Sequence, residues 1–131
     1  MEKAVKEFVD QVVRLLEAHK FSFANELELQ NGIEQVLREA GVCNQRELRL
    51  NARDRIDFAA YVPGGPGLPW VGIEVKVKGN PVSVFEQLER YAHAPNIQAL
   101  ILVTSSRRAA TLATEWPATY VPLRIVKVST L

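Results

Sequence analysis

The eight residues from Ile97 to Thr104, Ile-Gln-Ala-Leu-Ile-Leu-Val-Thr, are almost wholly apolar and bounded by polar residues on both sides. The run is far too short to cross a bilayer, which takes about 18 apolar residues or more. It also lacks the polar alternation of a strand with one wet face, and so fits a central strand covered on both faces. The rest of the chain must then supply helices for two sides of one sheet.

Residues 2–19 place Val5, Phe8, Val9, Val12, Leu15 and Leu16 at helical spacing among charged residues. A second helix is predicted from Phe23 to Ala40, with Ser22 as N-cap, Gly41 as its stop, and Leu29, Ile33, Val36, Leu37 and Ala40 as its apolar stripe. From Gln45 the period becomes two. Leu48 and Leu50 form one strand, Ile56, Phe58 and Ala60 a second, and the chain turns around Asn51 to Asp54. Pro63-Gly64-Gly65-Pro66-Gly67 reads as a hairpin turn before a third strand, Trp70 to Lys78. After a break at Gly79-Asn80-Pro81, a helix is expected from Val84 to Ala94, with Ser83 as cap and Pro95 beyond its end. A short helix, Arg107 to Trp116, and a last strand, Leu123 to Val128, follow the buried run. The expectation is a single α/β domain over 1–131 with a mixed β-sheet flanked by helices, residues 2–19 being an additional N-terminal helix.

At 131 residues the chain holds one core, so any site must be built into that core. A net charge of +1 excludes a polyanion-binding surface spread over the whole molecule, and any such surface must be local. The single cysteine, Cys43, excludes an internal disulfide, and with His19 and His93 it makes no zinc or iron–sulfur set; it reads as a small buried residue. Charges run through Met1-Glu2-Lys3-Ala4-Val5-Lys6, where a signal peptide would be apolar, so the expected location is cytoplasmic with no membrane contact.

Chemistry gathers on the third predicted strand. Ile73, Val75 and Val77 face one way and Glu74, Lys76 and Lys78 the other, so Glu74 and Lys76 share a face about 7 Å apart. The hairpin brings Asp57, in the apolar run Ile56-Asp57-Phe58-Ala59-Ala60, alongside Glu74. Hard oxygen ligands of this kind suit Mg²⁺ or Mn²⁺, and an ammonium beside them suits phosphodiester hydrolysis. A lone Glu-x-Lys on a strand is equally a surface ion pair; Asp57, the turn, and Gln87 and Tyr91 one helical turn apart on the next helix set this chain apart.

Asp57, sixteen intervening residues, Glu74-Val75-Lys76 and then Gln87-Leu88-Glu89-Arg90-Tyr91 resemble the PD-(D/E)xK nuclease superfamily over about residues 23–104, including the QxxxY signature of its RecB-like and lambda-exonuclease-like branches. The resemblance implies a restriction-endonuclease-like core and a Mg²⁺-dependent deoxyribonuclease. It implies metal binding by Asp57, Glu74 and the backbone carbonyl of Val75, catalysis with Lys76, and Gln87 and Tyr91 orienting the lysine or touching a phosphate. It further implies a glutamate from the preceding helix. Glu26, Glu28, Glu34 and Glu39 are available, and at about 100° per residue Glu26 lies with the apolar stripe, with Glu34 as fallback. Glu26-Leu27-Glu28-Leu29-Gln30 is also similar to the opening helix of the VRR-NUC branch, which adds Gln30 as a nucleic-acid contact. Ile56 stands where the name-giving proline would be, and iron–sulfur cysteines are absent.

Arg46, Arg49, Arg53 and Arg55 cluster before Asp57, as a phosphate-binding patch or equally, with Glu47 and Asp54 interleaved, as an ordinary charged hairpin, and Lys78, Arg107 and Arg108 follow the third and fourth strands; Arg53, Arg55, Lys78, Arg107 and Arg108 are the expected phosphate contacts. Expected partners are nucleic acid, DNA first, acted on by structure or end rather than by sequence, with a homodimer or a larger repair, replication or defence assembly in view. Two other classes compete: a catalytically idle protein of this fold that binds nucleic acid or a partner protein, and an unrelated α/β interaction module. The first helix either packs on the domain or forms a dimer interface.

Overall fold

The computed structural model describes residues 2–63 and 70–129; the glycine-rich turn from Gly64 to Gly67 lies outside them. It is an α/β fold, with a five-stranded mixed sheet in the order β1-β2-β3-β4-β5 flanked by helices. The strands are β1 (Asn44–Arg49), β2 (Arg55–Tyr61), β3 (Trp70–Lys76), β4 (Ile97–Thr104) and β5 (Leu123–Lys127). The first three form an antiparallel meander, and β3, β4 and β5 run parallel. Parallel neighbours need crossovers, here α3 (Pro81–Ala92) between β3 and β4, and a 3₁₀ turn (Ala109–Thr114) before β5.

The apolar run is the strand it promised to be, buried at every position of β4 except Gln98. One face of the sheet packs Val71, Ile73, Val75, Ile101 and Val103 against α1 (Lys3–Glu17) and α2 (Glu26–Glu39). The other packs Leu100 and Leu102 against Val84, Leu88 and Tyr91 of α3 and Leu112 of the 3₁₀ turn. Helix α1 packs on the domain through one face: Val5, Phe8, Val9, Val12, Val13 and Leu16 are all buried in the first core.

Several boundaries move for local reasons. Ser22 does not cap α2. Asn25 does, accepting the Glu28 N–H at 2.9 Å, while the Glu28 carboxylate accepts the Ala24 N–H at 2.7 Å, a reciprocal cap. Asn80, not Ser83, caps α3, and Pro81 sits inside the helix at its first turn, where a missing N–H costs nothing. The third strand ends at Lys76 rather than Lys78, and the short helix is a 3₁₀ turn. Cys43 is exposed, not buried, because it sits in the connection before β1.

The largest departure from the sequence pattern is at β2. Ile56, Phe58 and Ala60 do not share a face: Phe58 and Ala60 join the α1/α2 core, whereas Ile56 joins the α3 core. The strand changes face at Asp57. Opposite it on β1, Glu47 has φ +55, and the regular register skips this pair. On the other side the β2–β3 register ends at Phe58↔Ile73. Gly72 makes room for the switch, since any Cβ there would run into the Ile56 and Leu100 side chains.

Candidate active site

Where β2 leaves β3, carboxylates replace the missing strand. Asp57 Oδ2 accepts the Val75 N–H at 2.8 Å, and Glu74 Oε1 accepts the Asp57 N–H at 3.2 Å. One dipeptide further along β3, Glu26 Oε1 of α2 accepts the Val77 N–H at 3.2 Å. Val75 and Val77 present their N–H groups on the same edge, and the Val75 carbonyl shares it, because alternate residues of a strand direct their polar groups to one side. Glu26, Asp57, Glu74 and the Val75 carbonyl therefore line one open edge. Lys76 joins them, with Nζ 3.4 Å from Glu74 Oε2 and a side chain still 21% exposed.

The electrostatics are strained. Glu74 is 2% exposed. Burial first and the Asp57 charge second push its pKa up to about 8, against the opposing pull of Lys76 and the Asp57 N–H. Burial also raises Asp57, although the Val75 N–H draws it back, and the contact between the two carboxyls lowers Asp57 while raising Glu74. Two buried acids in contact, only one ammonium beside them, and a backbone carbonyl on the same edge form a hard oxygen site that a divalent cation would relieve.

Among the described residues, no three Asp, Glu, His or Cys side chains converge tightly enough to hold one ion. The reason is visible in the spacing: Asp57 and Glu26 engage N–H groups two residues apart, about 7 Å along the strand. The donor set that fits an ion is thus Asp57, Glu74 and the Val75 carbonyl, which is enough for Mg²⁺, commonly held by one or two carboxylates with water. Glu34, the fallback, is engaged elsewhere, by Arg38 at 2.8 Å and Arg46 at 3.2 Å.

Other expected residues fall differently. Gln87 and Tyr91 do not reach Lys76. Gln87 donates to the Tyr91 hydroxyl at 2.7 Å, and that hydroxyl donates to the Arg55 carbonyl at 2.9 Å, so the pair pins β2 two residues before Asp57. Tyr91 is buried, and its pKa is raised by burial and then by the charges of Glu74 and Asp57. Gln30 accepts from Arg46 at 3.0 Å, and Arg46 lies over the Phe58 ring, so both act within the fold at β1. Arg53, Arg55, Lys78, Arg107 and Arg108 are exposed.

Two residues carry weight that sequence reasoning missed. Asp54, 6% exposed, accepts Arg90 Nε at 3.0 Å and Asn51 Nδ2 at 3.3 Å, tying the β1–β2 turn to α3. Their signal was faint: an acid in a charged turn, and an arginine beside Tyr91. At the opposite edge of β3, Thr104 and Ser105 hydroxyls donate to the Lys76 and Val77 carbonyls at 2.6 and 3.0 Å, fixing the strand end that bears the lysine. Comparison with known protein families, curated proteins and solved structures finds no match.

Proposed function

We propose that this protein is a divalent-metal-dependent nuclease with a restriction-endonuclease-like core, hydrolysing phosphodiester bonds of DNA at ends or structured sites rather than at a fixed sequence. The observation that carries the reading is the Asp57–Glu74 carboxyl pair at the split between β2 and β3, with Lys76 Nζ 3.4 Å from Glu74. Asp57, Glu74 and the Val75 carbonyl would hold Mg²⁺ or Mn²⁺. Bound there, the metal would supply Lewis-acid chemistry, polarisation of the phosphoryl group and a lowered pKa for an attacking water.

The chain's own residues do the rest. Lys76, half out of the site, offers its ammonium to a non-bridging phosphate oxygen, where charge grows as the water attacks. Glu26 caps the Val77 N–H and closes the open edge beyond Lys76. Tyr91, supported by Gln87, keeps Arg55 and so Asp57 at the correct height on β2. Arg53, Arg55, Lys78, Arg107 and Arg108 are free to meet flanking phosphates.

The second reading is an idle protein of the same fold that binds nucleic acid or a partner protein. One observation favours it: no three acids converge on one point among the described residues. Labelled linear, circular, single-stranded and branched DNA incubated with Mg²⁺, Mn²⁺ or EDTA separates the two. Cleavage that requires the metal and falls at least about a hundredfold in Asp57→Asn and Lys76→Ala supports the nuclease. Cleavage that survives EDTA and both substitutions refutes it, and DNA binding without cleavage selects the idle reading.

A further inference from the structure

The C-terminal ends of β3, β4 and β5 bring Lys76, Thr104 and Lys127 into a single row, since Thr104 is in register with both lysines. Beside the β5 end of that row lies an open cleft of about 210 Å³, lined by His19, Lys20, Lys127 and Ser129, with Glu17 also on its wall. Neither Lys20 nor Lys127 forms an ion pair among the described residues, whereas Lys3, Lys6, Arg38, Arg46, Arg90 and Arg124 do. His19 has its Nδ1 engaged at the Leu15 carbonyl at 2.8 Å, which leaves its other ring nitrogen for a ligand.

The loop between α1 and α2 joins this cleft to the candidate active site. It begins at Lys20 on the wall of the cleft that Lys127 also lines, buries Phe21 and Phe23 in the core shared with α1 and α2, and finishes at Glu26 on the Val77 N–H. The same loop thus borders both the cleft and the candidate active site. Strands lie about 4.8 Å apart, so Lys127 stands about 10 Å from Lys76 in the sheet, a span of roughly three steps of about 3.4 Å along the axis of a DNA duplex.

Resting on the nuclease reading of the site, we propose that Lys20, Lys127 and His19 form a phosphate-binding subsite for the substrate strand, two to three nucleotides from the bond held at Lys76. Lys78, Arg107 and Arg108 extend from the intervening strand ends, which makes the edge a basic track from β3 to β5. The ligand class is a DNA backbone, engaged without base reading.

The test is binding of a fluorescently labelled oligonucleotide, single-stranded and duplex, in EDTA at several salt concentrations. Lys20→Glu with Lys127→Glu is compared with wild type and with Lys3→Glu and Lys6→Glu at the far end of α1. The subsite predicts about tenfold weaker binding for the first pair and a log–log salt slope smaller by about 1.5 to 2, as two phosphate contacts require. The distant pair should retain wild-type affinity and slope. Equal affinities and slopes for wild type and the Lys20/Lys127 variant overturn the subsite, as does an equal loss in both variants. Hydrolysis of the same oligonucleotide by wild type in Mg²⁺ reads the nuclease assignment separately: cleavage without a subsite effect sinks only the subsite, and a subsite effect without cleavage sinks only the nuclease.

Discussion

Replacing Glu74 by Gln should make the metal-free protein more stable at alkaline pH while weakening its response to metal. Glu74 ordinarily ionises near 4.5, and in the fold its pKa rises to about 8. A carboxyl whose folded pKa is raised keeps its proton in the native state while the unfolded chain has lost it. Its stabilisation is full below about pH 4.5, and is lost progressively as pH climbs to about 8. At about 1.4 kcal/mol per pH unit the loss is at most about 5 kcal/mol. That is a large share of a typical domain's stability of about 5–15 kcal/mol. Glutamine has the shape of the protonated acid, retains an oxygen for the Asp57 N–H, and never acquires the charge that burial and Asp57 oppose.

The assay is urea unfolding in EDTA at about pH 5, 7 and 9, extrapolated to water. Wild type should lose several kcal/mol across this range. Glu74→Gln should lose clearly less and should exceed wild type by about 2 kcal/mol or more at pH 9. Saturating Mg²⁺ at about a hundred times its Kd should restore nearly 3 kcal/mol to wild type at about pH 8, little at pH 5 where Glu74 holds its proton, and less to the variant. A wild-type profile that is flat or rises between pH 5 and 8, or a variant destabilised equally at pH 5 and 9, would show that burial and the Asp57 charge do not hold the proton on Glu74 in the fold.

The other outcomes test the scaffold around the pair. Tyr91→Phe leaves the Arg55 carbonyl and Gln87 without their part-buried hydroxyl partner and should cost about 1–2 kcal/mol in urea unfolding, with a wild-type value showing that the contact pins nothing. Gly72→Ala forces a methyl into the space taken by Ile56 and Leu100 and should cost about 1–3 kcal/mol; restoration by Ile56→Val in the double variant would confirm the clash as the cause. Arg90→Ala strands the buried Asp54 carboxylate, and because Arg90 is one-third exposed the cost should be about 1–2 kcal/mol, smaller in high salt, read by thermal unfolding. Asn80→Ala removes the cap of α3 and should cost about 1 kcal/mol by the same measurement.

How much of this was legible in the sequence depends on how local the cause is. The run Ile97–Thr104 announces a two-sided sheet because its hydrophobicity is continuous, and the helical stripes of α1 and α2 announce the layer that covers one side. Spacing alone put Glu74 beside Lys76, and the helical facing argument took Glu26 to β3 rather than Glu34. Caps were misread at Ser22 and Ser83 because several Ser and Asn residues compete at a helix start, and only the backbone path selects one. The face switch at Ile56 was illegible because period-two reasoning assumes an unbroken ladder, and here the ladder is broken by Glu47 on one side and two carboxylates on the other. That failure is itself informative. Asp57 is the residue at which β2 stops obeying strand periodicity, and the same break that hides it from the pattern frees the Val75 and Val77 N–H groups for acids. A regular ladder through this point would turn the Val75 edge to a neighbouring strand and leave no room for the Asp57 carboxylate there, so the local rule fails where the two acids meet.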